Sequence, residues 1–248
     1  MVLIFSFALL LLFGCSDYER DNIYDQKGVN YGGQGVGGGV SLSSMRSSSS
    51  VVGSSSSSSS TISYGSVTYN GQTYKTVKIG NQTWMAENLN YNASSSKCYN
   101  NESSNCTTYG RLYNWETAKT VCPSGWRLPS EVDFTALVKF ADPNWTSNSS
   151  NDNISGEKLK ASSGWNAGPA SAIGTDDYGF SGLPGGGYIS VSTGFANIGN
   201  YGNWWSSDED SGTTNGAKLM KLGYYDTYAE IYRYNIESMY SVRGVKQD

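Results

Sequence analysis

Cysteine, carboxylate and hydroxyl groups are what this sequence offers for chemistry, because its 248 residues include no histidine. That excludes Ser-His-Asp and Cys-His catalysis and His-ligated zinc. It also removes the one side chain whose ordinary pKa lies near neutrality, leaving acid–base work to carboxylates, Tyr, Lys or a perturbed Cys. Four cysteines are present: Cys15, Cys98, Cys106 and Cys122. The last opens the stretch "CPSGWRLPS" and has three possible roles: nucleophile, half of a disulfide, or leftover structural thiol. A nucleophilic Cys wants a His, a basic group or a helix N-terminus beside it. Leu112, Trp115, Ala118 and Lys119 recur at helical spacing and predict a helix over 111–121. Cys122 would then sit at a helix C-terminus, where the dipole opposes a thiolate.

The carboxylates offer two further chemistries. Glycoside hydrolysis needs two of them about 5–9.5 Å apart. Glu87, Glu116, Asp177 and Glu209 are available, and no spacing in the sequence pairs them. Calcium takes 6–8 oxygen ligands from clustered acids, amides and carbonyls. The turns "TDDYG" and "SDED" offer Asp176, Asp177, Asp208 and Asp210, without the alternation of an EF-hand loop. They read equally as solvated turn residues. The aromatic inventory is large, with 19 Tyr, 7 Trp and 7 Phe. Trp and Tyr present an apolar face with a polar tip, the counterpart of a sugar ring. Trp165, Tyr178, Trp204, Trp205, Tyr228 and Tyr232 are the candidate ligand-binding residues, with core packing as the competing use.

Only 15% of residues are charged and the net charge is −4, so nucleic acid is not an expected partner. The abundant Ser, Gly, Asn and Tyr suit a β-rich exported domain with many turns.

The N-terminus supplies the export route. Residues 1–14, "MVLIFSFALLLLFG", are too short to span a bilayer and fit a signal-peptide core. "LFGC" resembles a lipobox, although Phe13 is bulky for its place and no Lys or Arg precedes the apolar run, as one would with an upstream start. Cys15 is the expected lipid attachment, which makes the membrane a partner. The acidic "SDYERD" that follows points to the outer face of an outer membrane, and so to surface exposure. Residues 15–60 are dominated by Gly and Ser, bury little apolar surface, and read as a disordered tether. Such a coil reaches about 35–40 Å.

From 61 to 248 apolar residues return at regular intervals, as in one domain. Asn70-Gly71 and Gly80-Asn81 separate β-prone runs, predicting strands over 66–69, 72–79 and 82–86. A second helix begins at Ser130 with Asp133 three residues on, a capping-box variant. A weaker helix covers 155–162. Closing strands are expected near 216–223, 227–234 and 239–245. Cys98 and Cys106 bracket a polar run of turn formers and read as a disulfide-closed loop, which leaves Cys122 unpaired. The class is α+β, with a loop-rich middle.

Five segments in order, "TVKIGNQTWMAENLNY", "YGRLYNWETAKTVCPSGWRLPS", "GTDDYGFSGLPGGG", "NWWSS" and "YSVRGVKQD", closely resemble the Fibrobacter succinogenes major paralogous domain (FISUMP) family, from Val67 to Asp248. "GWRLPS" is also similar to a segment of formylglycine-generating-enzyme-like domains. The resemblance implies a C-type-lectin-like fold, with two helices flanking a loop-decorated antiparallel sheet whose first and last strands pair. Family members commonly end in a sequence like "SVRC", and Gly244 stands where that Cys would be. The resemblance thus makes Cys122 the widow of a lost disulfide. The expected function is non-catalytic binding of a polysaccharide, glycan or surface protein. A carboxylate hydrolase and a purely structural surface protein are the alternatives. No cofactor beyond possible calcium is expected.

Overall fold

The computed structural model describes residues 61–146, 153–169, 172–210, 212 and 215–247. The signal segment, Cys15 and the tether lie outside them. Among the described residues no helix is long and apolar enough to cross a membrane.

The chain opens with β1 (Tyr64–Tyr69), β2 (Gln72–Ile79) and β3 (Gln82–Met85), an antiparallel meander. Its turns follow from Asn-Gly and Gly-Asn. Asn70 and Gly71 have φ of 47° and 79°, as a type I′ turn requires, whereas at the second turn Gly80, at 61°, takes the positive φ. A short strand β4 (Ser96–Lys97) leads to helix α1 (Ser103–Tyr109), then β5 (Leu112–Asn114) and helix α2 (Trp115–Ala118). Helices α3 (Glu131–Ala141) and α4 (Ser155–Leu159) follow. The rest is sheet: β6 (Gly185–Ser190), β7 (Gly194–Ile198), β8 (Tyr201–Glu209), β9 (Gly216–Gly223), β10 (Ala229–Asn235), β11 (Met239–Ser241) and β12 (Val245–Gln247). The protein is mixed α+β, mostly sheet, with few helices.

Two sheets form. The smaller has the order β1-β2-β3-β12, with Val245 of the last strand opposite Trp84 of β3. The larger runs β10-β9-β8-β11-β5-β4, with β6 and β7 added beside β11. β8 is central and buried on both faces. Trp204 therefore joins one apolar layer, with Phe134, Leu137 and Val138 of α3, while Trp205 joins the other, with Trp115 and Ala118 of α2. Met220 and Leu219 of β9 divide between the layers in the same way. Burying one large aromatic removes 150–250 Å² from water, worth about 4–6 kcal/mol before entropy.

The start of α3 obeys its sequence. Ser130 Oγ accepts from Asp133 N at 3.2 Å, and Asp133 Oδ2 accepts from Ser130 N at 2.6 Å. Asp133 also accepts from Gln82 Nε2 at 2.9 Å and from Arg127 Nη2 at 2.8 Å, so "GWRLPS" is held to the first meander. Burial alone would raise the Asp133 carboxyl, but its bonds to Arg127 and Ser130 outweigh that and hold it below the ordinary value.

Three local expectations need correction. The helix expected over 111–121 is confined to Trp115–Ala118, because Leu112–Asn114 pair with β11 as a strand and Asn114 Oδ1 caps the helix through Thr117 N at 3.0 Å. The polar run after Cys98 is not all loop; it contains α1, whose one buried residue is Cys106. The helix expected over 155–162 stops at Leu159, because Lys160 bridges to Gly182 as a strand does. The middle also holds more sheet than its glycines imply. A Cβ at Gly187 would stand 2.3 Å from the Tyr240 ring, so only Gly lets β6 lie against β11 there.

Candidate functional site: a polar cleft above a buried arginine

The chain crosses from the large sheet to the small one at Val242–Gly244, between β11 and β12. Arg243, at this crossing, is 0% exposed. Its Nη2 donates to Asn88 Oδ1 at 2.7 Å and to Ser181 O at 3.3 Å, and its Nη1 donates to Phe180 O. The guanidinium lies 4.2 Å from the Phe180 ring centroid and 5.5 Å from that of Trp204. Burial pulls it down to about 9, against the pull of Asp176 and then Glu87, so it stays charged at neutral pH.

Asn88 is the node of this network. Its Oδ1 also accepts from Trp204 Nε1 at 2.7 Å, and its Nδ2 donates to Tyr109 O at 2.8 Å. Gly110, with φ of 75°, packs so closely that a Cβ would sit 2.7 Å from that of Asn88. Asn88, Tyr109-Gly110, Phe180-Ser181, Trp204 and Arg243 come from the five sequence segments that carry the family resemblance, one set from each. Those segments meet on a buried polar hub.

Above the hub lies a cleft of about 250 Å³. Tyr64, Gln72 and Lys75 of the first hairpin form one side; Glu87, Asn88 and Asn90 follow β3; Thr107 and Thr108 of α1 close the other. Asn88 has its polar atoms committed downward, so it is floor rather than reader. Glu87 Oε2 accepts from Lys75 N at 2.6 Å, which fixes the carboxylate at the cleft while leaving its other oxygen uncommitted by that bond. Tyr64 is 43% exposed, with Lys75 Nζ 5.7 Å from its ring centroid. The disulfide Cys98–Cys106 is formed, and Cys106 lines the cleft, so the bridge braces the α1 wall.

The residues singled out in the sequence fare differently. Trp204 and Trp205 are 0% exposed and cannot meet a ligand; a strand covered on both faces buries both of a consecutive pair. Trp165 is half-buried, its Nε1 donating to Gly182 O at 3.2 Å. Tyr228 turns its hydroxyl to Asp226, and burial, then Asp226 and Glu230, push it up to about 12. Tyr178 is half-buried, with its ring against Phe140. Tyr232 is exposed on β10 of the other sheet.

The proposed calcium ligands are not gathered. Asp176 accepts from Ser181 N and Oγ, both at 2.7 Å, and Asp208 accepts from Glu131 N at 2.6 Å. Asp210 pairs with Arg233 at 3.6 Å, and Asp177 is exposed. Among the described residues no three of His, Cys, Asp and Glu come together as a metal site would need. The hydrolase candidates Glu87, Glu116, Asp177 and Glu209 sit on four separate segments, and Glu116 is held by Lys119 at 3.0 Å. Cys122 is a free thiol, half-buried beside Gly244. Burial pushes it up to about 12, with Arg127 opposing, so it is no thiolate at neutral pH.

Tyr64, Lys75, Asn90 and Arg243 were not legible as site residues. Arg243 had a signal: a lone charge inside the apolar run "YSVRGV" must be either an outward strand position or a buried, fully bonded cation.

A sheet-dominated α+β domain with its motifs joined in a buried hub is the class of protein that these features define. The chain belongs to the Fibrobacter succinogenes major domain family, whose model matches residues 77–246. Neither a curated protein nor a solved structure gives a match to the chain.

Proposed function

We propose that this is a cell-surface lipoprotein whose folded domain binds glycan and carries out no chemistry. Cys15 holds the lipid in the outer membrane, the Gly/Ser segment is the tether, and the domain is lectin-like. Helices on opposite faces of a central sheet support the lectin-like reading, whereas the last strand pairs with the third and not, as expected, with the first. The observation that carries the functional reading is the cleft. Its lining of Glu, Lys, Gln, Asn and Thr side chains beside an exposed Tyr matches the hydroxyl rim and flat C–H face of a sugar. Glu87 is the one carboxylate among the described residues lining it, whereas glycoside hydrolysis takes two. The reading does not call on calcium, since Asp176, Asp208 and Asp210 are engaged by other protein groups.

The test incubates the full chain with immobilised polysaccharides, with calcium or with EDTA, and reads depletion and released sugar. Saturable depletion in both media without released sugar, reduced about tenfold in E87Q and Y64A, is the expected result. Released sugar would establish a hydrolase. Absence of depletion on every polysaccharide would turn the reading to a protein partner.

A further inference from the structure

We infer that the cleft receives one neutral sugar ring, at the end or on a side branch of a glycan, and does not receive a length of chain or a crystalline face. The inference rests on the glycan reading above and narrows it.

Size is the first argument. The cleft holds about 250 Å³, just under the roughly 300–1,000 Å³ of sites for drug-sized ligands. Residues of the first hairpin and of α1 line it together, and a volume on that scale suits a unit and not a length of chain.

Charge is the second. Lys75 at the wall and Arg243 beneath the floor are met by Glu87 at the wall and by Asp176, whose carboxylate is bonded to Ser181 next to the floor. Two positive groups face two negative ones. A ligand bearing a net charge gains nothing from this balance, whereas hydroxyls can use the donors and acceptors alike.

The third argument concerns the aromatic residues outside the cleft. Binding along a flat polysaccharide face needs aromatic rings presented in one plane. Trp204 and Trp205 are buried. The outer pairs stand edge to face: Phe140–Tyr178 at 68°, Tyr224–Tyr225 at 66° and Tyr232–Tyr234 at 71°. None of these pairs makes a platform. Tyr64 is the one aromatic ring among the described residues lining the cleft, suited to one sugar ring.

The experiment measures affinity of the full chain by calorimetry for the methyl glycosides of glucose, galactose, mannose and xylose, for their oligomers up to four rings, and for methyl glucuronoside. Microcrystalline cellulose is tested by depletion. The expected result is one preferred neutral sugar whose single-ring glycoside binds within about threefold of its tetramer, with the glucuronoside weaker by about tenfold or more. E87Q, folded by circular dichroism, should bind that sugar about tenfold more weakly. Affinity rising about tenfold or more from one ring to four, or depletion on cellulose, overturns the single-ring inference and leaves the glycan reading standing. No binding to any member of the set overturns both.

Discussion

Asn88 and Arg243, 155 positions apart in sequence, meet at 2.7 Å with the arginine fully buried, and the amide also holds the Trp204 indole. This contact ties the crossing between the sheets to the segment that walls the cleft. Removing a neutral hydrogen-bond partner from a buried group costs about 1–3 kcal/mol, and more when the group left is charged. N88A should therefore lose stability on that scale, and R243A should do the same by stripping Asn88, Phe180 and Ser181 of a donor. R243M, which removes the charge while filling space, should be the mildest. Urea midpoints for the three variants check this order; N88A at wild-type stability would show that the hub is not a support.

Gly244 and Cys122 give a second expectation. A Cβ built at Gly244 would lie 3.6 Å from Cys122 Sγ, and Gly244 does not occupy the left-handed region. G244C should oxidise with Cys122 and raise stability by about 2–4 kcal/mol. Met85 Sδ, 3.0 Å from the same Cβ, must shift aside, and a flexible thioether can. The check is loss of the free thiol, with a melting temperature that rises under oxidising conditions and falls with reductant.

Cys122 also has a pH signature. Its folded pKa, about 12, stands above the ordinary 9. Its contribution is therefore fully present below pH 9 and is lost as pH rises toward 12, because the unfolded thiol ionises first. The stability difference between wild type and C122A should be flat from pH 6 to 8 and then fall, by up to about 1.4 kcal/mol per pH unit. Denaturant titrations at matched pH test this. A flat difference to pH 11 would mean that water reaches the thiol.

The disulfide is the covalent brace of the α1 wall. Arg111 Nη1 donates toward both sulfurs at 3.5 Å, and Cys106 is the helix's buried residue. Replacing both Cys98 and Cys106 with Ser should cost about 2 kcal/mol, since the loop is short. Its larger effect should fall on the cleft. Hydrogen exchange should speed up across 103–109 and stay slow in β8 and β9, and glycan affinity should fall. Unchanged exchange in α1 would show that the wall stands without its bridge.

What the sequence disclosed tracks how local each signal is. The two hairpin turns and the Ser130–Asp133 cap are chosen by neighbouring residues, so the strands and α3 were legible almost to the residue. Leu112–Asn114 were not, because their apolar spacing fits a helix as well as a strand, and the register with Tyr240 decides. The polar α1 has no apolar stripe to betray it. The cleft was least legible of all. Tyr64, Glu87 and Thr107 are brought together by pairings distant in sequence, and only Glu87 carried a chemical role on its own. The two tryptophans misled for a related reason. Nothing in "NWWSS" says that β8 has a layer on each face; that depends on where α2 and α3 pack.

Tyr64 and Ile62 have a mechanical consequence. The chain enters the domain at Ile62, and β1 is an edge strand carrying Tyr64 on the cleft rim. A pull arriving at Ile62 and a load hung on a molecule in the cleft would therefore share β1, with the load also passing through the Glu87 and Thr107 segments. Under shear, the weak link would then be the peeling of β1 from β2 or escape of the ligand.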